Sequence, residues 1–132
     1  MVYLIEDDTG VRNAIALSLK TLGIECKDFG SITEFNEYFR NGGTLATPIY
    51  FDASVDVLIV DYQLGEMLAL ELLESISHQY DTAKPIKAII ISGWSRAKIE
   101  NKTGGQFEYH FLHKPFGLAD LESTLNALGV KT

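Results

Sequence analysis

Val57-Leu58-Ile59-Val60-Asp61 is an unbroken apolar run that ends on a carboxylate. Four consecutive branched residues are too few for a helix. Their lack of alternation marks a strand buried on both faces, expected over Val55 to Val60. Two runs of the same kind stand on either side of it in the chain. They are Val2 to Ile5 and Ile86 to Ile91, the second interrupted only by Lys87. A more polar segment, Ile24-Glu25-Cys26-Lys27-Asp28-Phe29, suits an edge strand, and Tyr109 to Leu112 makes a fifth.

Amphipathic stretches separate these runs. Val11, Ile15, Leu19 and Leu22 recur at helical spacing between Gly10 and Leu22, and Gly23 stops that helix. Ser31 and Glu34 form an S-x-x-E capping signal, followed by an apolar face of Ile32, Phe35 and Phe39 that runs out near Gly42-Gly43. Leu70, Leu73 and Ile76 stripe a helix from Met67 to about Tyr80. A short polar helix fits between Ser95 and Lys102, and Leu118, Leu121, Leu125 and Leu128 give a closing helix. Five strands alternating with about five helices predict an α/β fold, a parallel sheet with helices on both faces. With the polar second strand at an edge, the expected architecture is a flavodoxin-like three-layer sandwich of strand order 2-1-3-4-5. The stretch from Asn41 to Ser54 is long for a connection in such a unit. Its Pro48-Ile49-Tyr50-Phe51 reads either as a loop folding its aromatics back onto the body or as a docking patch.

Composition narrows the function. At 132 residues with 46 % hydrophobic side chains, the chain is the size of one packed domain, expected over 1–132. Eighteen acidic against eleven basic side chains, a formal charge of −7, count against direct binding to nucleic acid or an anionic membrane. The single cysteine, Cys26, leaves no intrachain disulfide and fits a reducing compartment. The N-terminus reaches Glu6-Asp7-Asp8 too soon for a signal peptide, and no apolar run approaches a membrane span. The expected location is the cytoplasm.

Ligand sites of open α/β sheets lie beyond the carboxyl ends of the strands. Glu6-Asp7-Asp8 follows the first strand, Asp61 the third, Ser92-Gly93 the fourth and Lys114-Pro115 the fifth. These groups converge on one rim. Glu6, Asp7, Asp8, Asp61 and Lys114 together hold −3 of the formal −7. Clustered carboxylates repel, and a hard divalent cation relieves them. Lys114 is a compact charge suited to a phosphoryl oxygen or a carboxylate, and Ser92 can donate to another oxygen. An aspartate with metal, ammonium and hydroxyl around it is a phosphoryl-transfer constellation.

Four motifs taken in order carry a specific resemblance: Ile5-Glu6-Asp7-Asp8 with Arg12, Val60-Asp61-Tyr62-Gln63-Leu64, Ile90-Ile91-Ser92-Gly93, and Phe111-Leu112-His113-Lys114-Pro115-Phe116. Over nearly its whole length the chain resembles the response regulator receiver domains of two-component signalling. The resemblance implies a phosphoacceptor that takes a phosphoryl group from a histidine kinase or phosphotransfer protein and switches the face read by a downstream protein. It implies Asp61 as the phosphoacceptor. Glu6, Asp7, Asp61 and the Gln63 backbone carbonyl would lie at Mg²⁺, with Mn²⁺ as an alternative. Lys114 would pair with Asp61 and then with the phosphoryl group, and Ser92 and Phe111 would be the switch pair. Gln63 and Trp94 stand where the family tunes dephosphorylation, and the Lys114-Pro115 bond is expected to be cis. Such domains are switches rather than enzymes, and act as monomers or phosphorylation-dependent dimers.

The chain departs from the family in places. Gly65-Glu66 replaces a frequent Pro-Gly, Ala69 matches a small glycine, Phe111 replaces the commoner tyrosine, and Gly117 stands where an aspartate often caps the last helix. Two rivals remain. One is an aspartate-dependent phosphohydrolase, disfavoured because Gln63 occupies the place of its second acid. The other is a phosphorylation-independent interaction module. Asp8 is expected to be a helix cap or auxiliary acid rather than a ligand. His78, His110 and His113 have no metal-ligand spacing and are expected in surface or local structural roles.

Overall fold

The computed structural model describes residues 1–40, 55–64, 69, 71–74, 86–95 and 109–132. The strands are β1 (Val2–Ile5), β2 (Cys26–Phe29), β3 (Val57–Asp61), β4 (Lys87–Ser92) and β5 (His110–His113). They form one parallel sheet of order β2-β1-β3-β4-β5. This is the order expected for the flavodoxin-like fold. The central strands are the ones with continuous apolar runs, and β3 is buried at all five positions. A strand flanked on both edges by neighbours and on both faces by helices has no solvent side, so it cannot alternate.

The pleat sorts side chains onto two faces. Tyr3, Ile5, Leu58, Val60, Ala88 and Ile90 lie in one core with Ile32, Phe35 and Phe39 of helix α2 (Ile32–Arg40). Ala69, Leu72 and Leu73 join the same core, and helical structure is present at Ala69 and 71–74. Val2, Leu4, Val57, Ile59, Ile89 and Ile91 lie in the other, with Ile15 and Leu19 of α1 (Thr9–Thr21) and Leu121 and Leu125 of the C-terminal helix (Leu118–Ala127). Burying each large side chain contributes about 1.5–3 kcal/mol before entropy, so both faces are needed to hold the sheet. The first core is rich in aromatics: Phe35 meets Phe29 edge-on with centroids 5.4 Å apart, and Tyr3 meets Phe39 at 5.1 Å.

The helix ends follow the sequence signals. Asp8 caps α1, its Oδ1 accepting the Val11 amide at 2.9 Å. Gly23, at φ 76°, turns the chain out of α1 towards β2 in a conformation that disfavours any side chain. In front of α2, Ser31 Oγ accepts the Glu34 amide (3.1 Å) and Glu34 reaches back to the Gly30 amide (2.9 Å). At the last helix Gly117 has no side chain to offer, and Asp120 Oδ2 accepts the Gly117 amide instead (3.0 Å). The Lys114-Pro115 bond is cis. The 41–54 connection, all but the first residue of the helix expected from 95 to 102, most of the helix expected from 67 to 80, Gly65, Glu66 and His78 lie outside the described residues.

Candidate functional site

Three consecutive acids leave β1 and go to three places. Glu6 donates its amide to the Phe29 carbonyl (3.1 Å), which fixes it just beyond the β1–β2 ladder and turns its side chain inward, 1 % exposed. Asp7 is exposed on the rim, and Asp8 is the α1 cap. Arg12, one turn into α1, donates from Nη1 to the Glu6 carbonyl (2.9 Å) and sets its Nε 3.4 Å from Asp28 of β2. It thereby pins the β1 end to its neighbour. It lies so close over Gly30 that a Cβ there would stand 2.7 Å from Nη1.

Asp61 ends β3 beside these groups. Its Oδ1 accepts the Gln63 amide at 3.0 Å, and its Oδ2 receives Lys114 Nζ at 2.6 Å. The same ammonium reaches Glu6 Oε2 at 3.1 Å. Glu6, Asp7 and Asp61 each offer a carboxylate oxygen within 4.8 Å of the others. The rim thus gathers three carboxylates and one ammonium, an excess of negative charge in a half-buried place. Burial, then the Asp61 carboxylate, push Glu6 from its ordinary value up to about 7, against the opposing pull of Lys114. Burial alone would lower the Lys114 ammonium, but Asp61 and then Glu6 outweigh it and raise it. Proximity to like charge disfavours ionisation and proximity to opposite charge favours it. Three carboxylate oxygens at this spacing suit a hard divalent cation, which takes oxygen ligands and needs few from the protein when waters complete the shell.

The fourth and fifth strands supply the remaining groups. Ser92, the last residue of β4, is 4 % exposed, and its Oγ accepts the Trp94 amide at 2.9 Å. The Lys114 amide donates to the Ser92 carbonyl (2.7 Å), so one peptide ties the hydroxyl's strand to the ammonium's. The Trp94 ring leans on Tyr62, centroids 5.8 Å apart. Phe111, on the edge strand, is half-buried against the core face shared with α2. Gln63 has an exposed side chain and an amide directed at Asp61. The structure therefore joins Glu6 and Asp61 through Lys114 and brings a carboxylate oxygen of Asp7 within 4.8 Å of both acids. It sets Ser92 beside them through the β5 end, and leaves Phe111 two strands from Asp61. The bridging role of Arg12 was invisible in the sequence, since nothing in a helix periodicity shows a side chain folding back on the preceding strand end.

Comparison with known proteins agrees with the fold. The family model for the response regulator receiver domain matches residues 2–126. The chain is 26 % identical over 121 residues to the response regulator protein TmoT of Ectopseudomonas mendocina, covering 92 % of this chain and 49 % of TmoT. It is 26 % identical over 127 residues to the sensor kinase CckA of Brucella abortus, covering 96 % of this chain and 12 % of that protein. The chain thus spans about half the length of one curated relative and a small part of the other. A response regulator receiver domain protein from Clostridium thermocellum superposes with a TM-score of 0.72 at 20 % identity, covering 96 % of this chain and 90 % of that one, a likeness of fold.

Proposed function

This chain belongs to the response regulator receiver domain family, and on that premise we propose that it is a phosphoacceptor switch over 1–132, with Asp61 as the acceptor. One observation carries the reading: Lys114 Nζ lies 2.6 Å from Asp61 Oδ2 inside a carboxylate cluster at the carboxyl rim of the sheet. A structural ion pair needs one acid and one base. Here two acids share the base and a third stands within 4.8 Å of them, and the surplus charge calls for a cation.

The donor set Glu6, Asp7 and Asp61, with the Gln63 carbonyl, fits Mg²⁺ or Mn²⁺. When bound, such an ion supplies charge neutralisation at phosphoryl oxygens. The remaining work falls to this chain's own groups. An Asp61 carboxylate oxygen attacks the phosphorus of a phosphohistidine. The new P–O bond forms as the P–N bond breaks, and the departing imidazole keeps the electron pair and takes up a proton. The Gln63 amide holds the other carboxylate oxygen and orients the attack. Lys114 moves its charge from the carboxylate to the incoming phosphoryl oxygens, the kind of electrostatic clamp on which phosphoryl transfer chiefly depends. Ser92 turns its hydroxyl to another phosphoryl oxygen, and Phe111 follows into the space behind it, altering the outer face of β5. Gln63 and Trp94 govern how readily water reaches the phosphoryl group.

The donor is a histidine kinase or phosphotransfer protein, and the reader is a downstream protein. The chain acts as a switch in the cytoplasm, as a monomer or a phosphorylation-dependent dimer. Among the described residues no helix is long and apolar enough to cross a membrane. A phosphohydrolase would want an acid in the place of Gln63, and an inert interaction module would have no use for the crowded carboxylates. The test is labelling by acetyl phosphate with Mg²⁺. The parent should acquire one acid-stable, base-labile phosphoryl group, and Asp61→Asn should not. Equal labelling of the two would overturn the assignment.

A further inference from the structure

The hydroxyl of Ser92 sits on a short turn, Ser92-Gly93-Trp94, closed on itself by the Trp94 amide on Ser92 Oγ at 2.9 Å. Such a turn is locally satisfied but is free to pivot unless something outside holds it. Two bonds do so. One is between backbones, the Lys114 amide to the Ser92 carbonyl at 2.7 Å. The other comes from a side chain: His113 Nε2 lies 3.1 Å from the Gly93 carbonyl oxygen. A carbonyl only accepts, so Nε2 carries the proton and donates. Ser92 and His113 are register partners across β4 and β5, which places the imidazole directly over the turn that follows Ser92. His113 is exposed, and its ring centroid lies 6.4 Å from that of Phe111 on the same strand. One side chain therefore touches both the serine's turn and the aromatic of the edge strand.

We propose that His113 is a positioning residue, a tether whose Nε2–H holds the Ser92-Gly93-Trp94 turn against β5 while Asp61 is unphosphorylated. This rests on the phosphoacceptor reading above. The bond exists in the state where Lys114 engages the bare Asp61 carboxylate. It therefore stabilises that state against the one in which Ser92 swings to a phosphoryl oxygen. Anything that favours one of two states shifts their populations by its differential contribution. An exposed neutral hydrogen bond has a modest net worth, so release of the tether should favour the swung-in state by about threefold.

Trp94, the chain's single tryptophan, reports on this turn directly. Four proteins suffice: the parent, His113→Leu, His113→Gln and Asp61→Asn. Glutamine is chosen because its side-chain nitrogen reaches about as far as Nε2 and donates, whereas leucine keeps bulk without a donor. Before any donor is added, His113→Leu should show Trp94 emission displaced from the parent's towards that of the phosphorylated parent, and His113→Gln should restore it. With acetyl phosphate and Mg²⁺, His113→Leu should label about threefold faster than the parent and His113→Gln at the parent's rate. Thermal melts of all four confirm that each is folded. Parent-like emission and rate in His113→Leu would overturn the tether. So would a His113→Gln protein as altered as His113→Leu, since the ring's packing would then matter and its proton would not. Full labelling of Asp61→Asn would instead bring down the phosphoacceptor reading, and the donor-free emission series would still decide the tether.

Discussion

β3 carries a carboxylate at each end, and the two have opposite fates. Asp56, just before the strand, is 6 % exposed and sets Oδ1 3.3 Å from the Met1 ammonium. Asp61, the last residue of the strand, is 9 % exposed and sets Oδ2 2.6 Å from the Lys114 ammonium. Burial and an ammonium partner are common to both, so neither distinguishes a reactive acid. The difference lies in the neighbours. Beside Asp56 stands the Tyr3 phenol, which burial and then the Asp56 charge push up to about 12, so it stays neutral. Beside Asp61 stand two further carboxylates, of which Glu6 shares its ammonium and Asp7 adds a charge within 4.8 Å. A matched pair is complete in itself. A cluster with surplus charge has something left to bind, and perturbed acids gather at such places.

The sharpest way to break this contrast is to neutralise each aspartate in turn. Asp61→Asn should reduce acyl-phosphate labelling to below about one per cent of the parent, because the proposed nucleophile is gone. Asp56→Asn should leave labelling within about twofold while costing about 1 kcal/mol in a denaturant titration, a figure kept small because the amine is partly exposed. Comparable labelling losses in both would mean that the ends of β3 do not differ in kind. Lys114→Met probes the ammonium. Initial labelling rates at saturating Mg²⁺ should fall by on the order of a hundredfold, the usual scale for removing a charge-stabilising donor. A rate close to the parent's would reduce Lys114 to the same status as the Met1 amine.

The Glu6 carboxyl, held above its ordinary range by burial and Asp61, ties stability to pH. A carboxyl that holds its proton more tightly when folded makes the native state the stronger proton binder between its unfolded value near 4.5 and about 7. Stability then falls as pH rises through that window. Metal-free melting temperatures should accordingly decline from pH 5 to pH 7 and level off above. Mg²⁺ should restore more of the loss at pH 8 than at pH 5, since it competes with the proton. Glu6→Gln should flatten the metal-free profile, and a variant retaining the full slope would place its origin elsewhere. The smallest effect concerns Trp94. Trp94 leans on Tyr62 at the rim, so Trp94→Ala should admit water and shorten the phosphoryl lifetime about threefold, read by loss of label after donor removal. An unchanged lifetime would assign that control to Gln63.

Most of the sheet was legible because burial leaves a mark in composition. Val2–Ile5 is bounded as expected, but β3, β4 and β5 each end one residue later than their apolar runs, at Asp61, Ser92 and His113. Hydropathy marks where a strand is dry, whereas the backbone ladder continues one residue further and delivers a polar side chain to the rim. β2 is shorter than expected, Cys26–Phe29, because the residues after Gly23 are spent leaving α1: the Ile24 amide still bonds back to Leu19. The rim acids, Ser92 and Lys114 were legible as strand ends. Legibility stopped where a role depends on a long side chain turning back. Arg12 on the Glu6 carbonyl and His113 on Gly93 are contacts across the fold that no periodicity encodes.

The strand order also divides the molecule's freedom to drift. Every position of β3 is enclosed by two neighbouring strands and two helical layers, so substitution there opens a cavity or forces an overlap. On β5, at the far edge, only Leu112 is fully buried, while His110, Phe111 and His113 meet solvent. A lineage can therefore vary a solvent-meeting position of the edge strand, His110, without opening a cavity beside the strand that carries Asp61, whereas no position of β3 has that latitude.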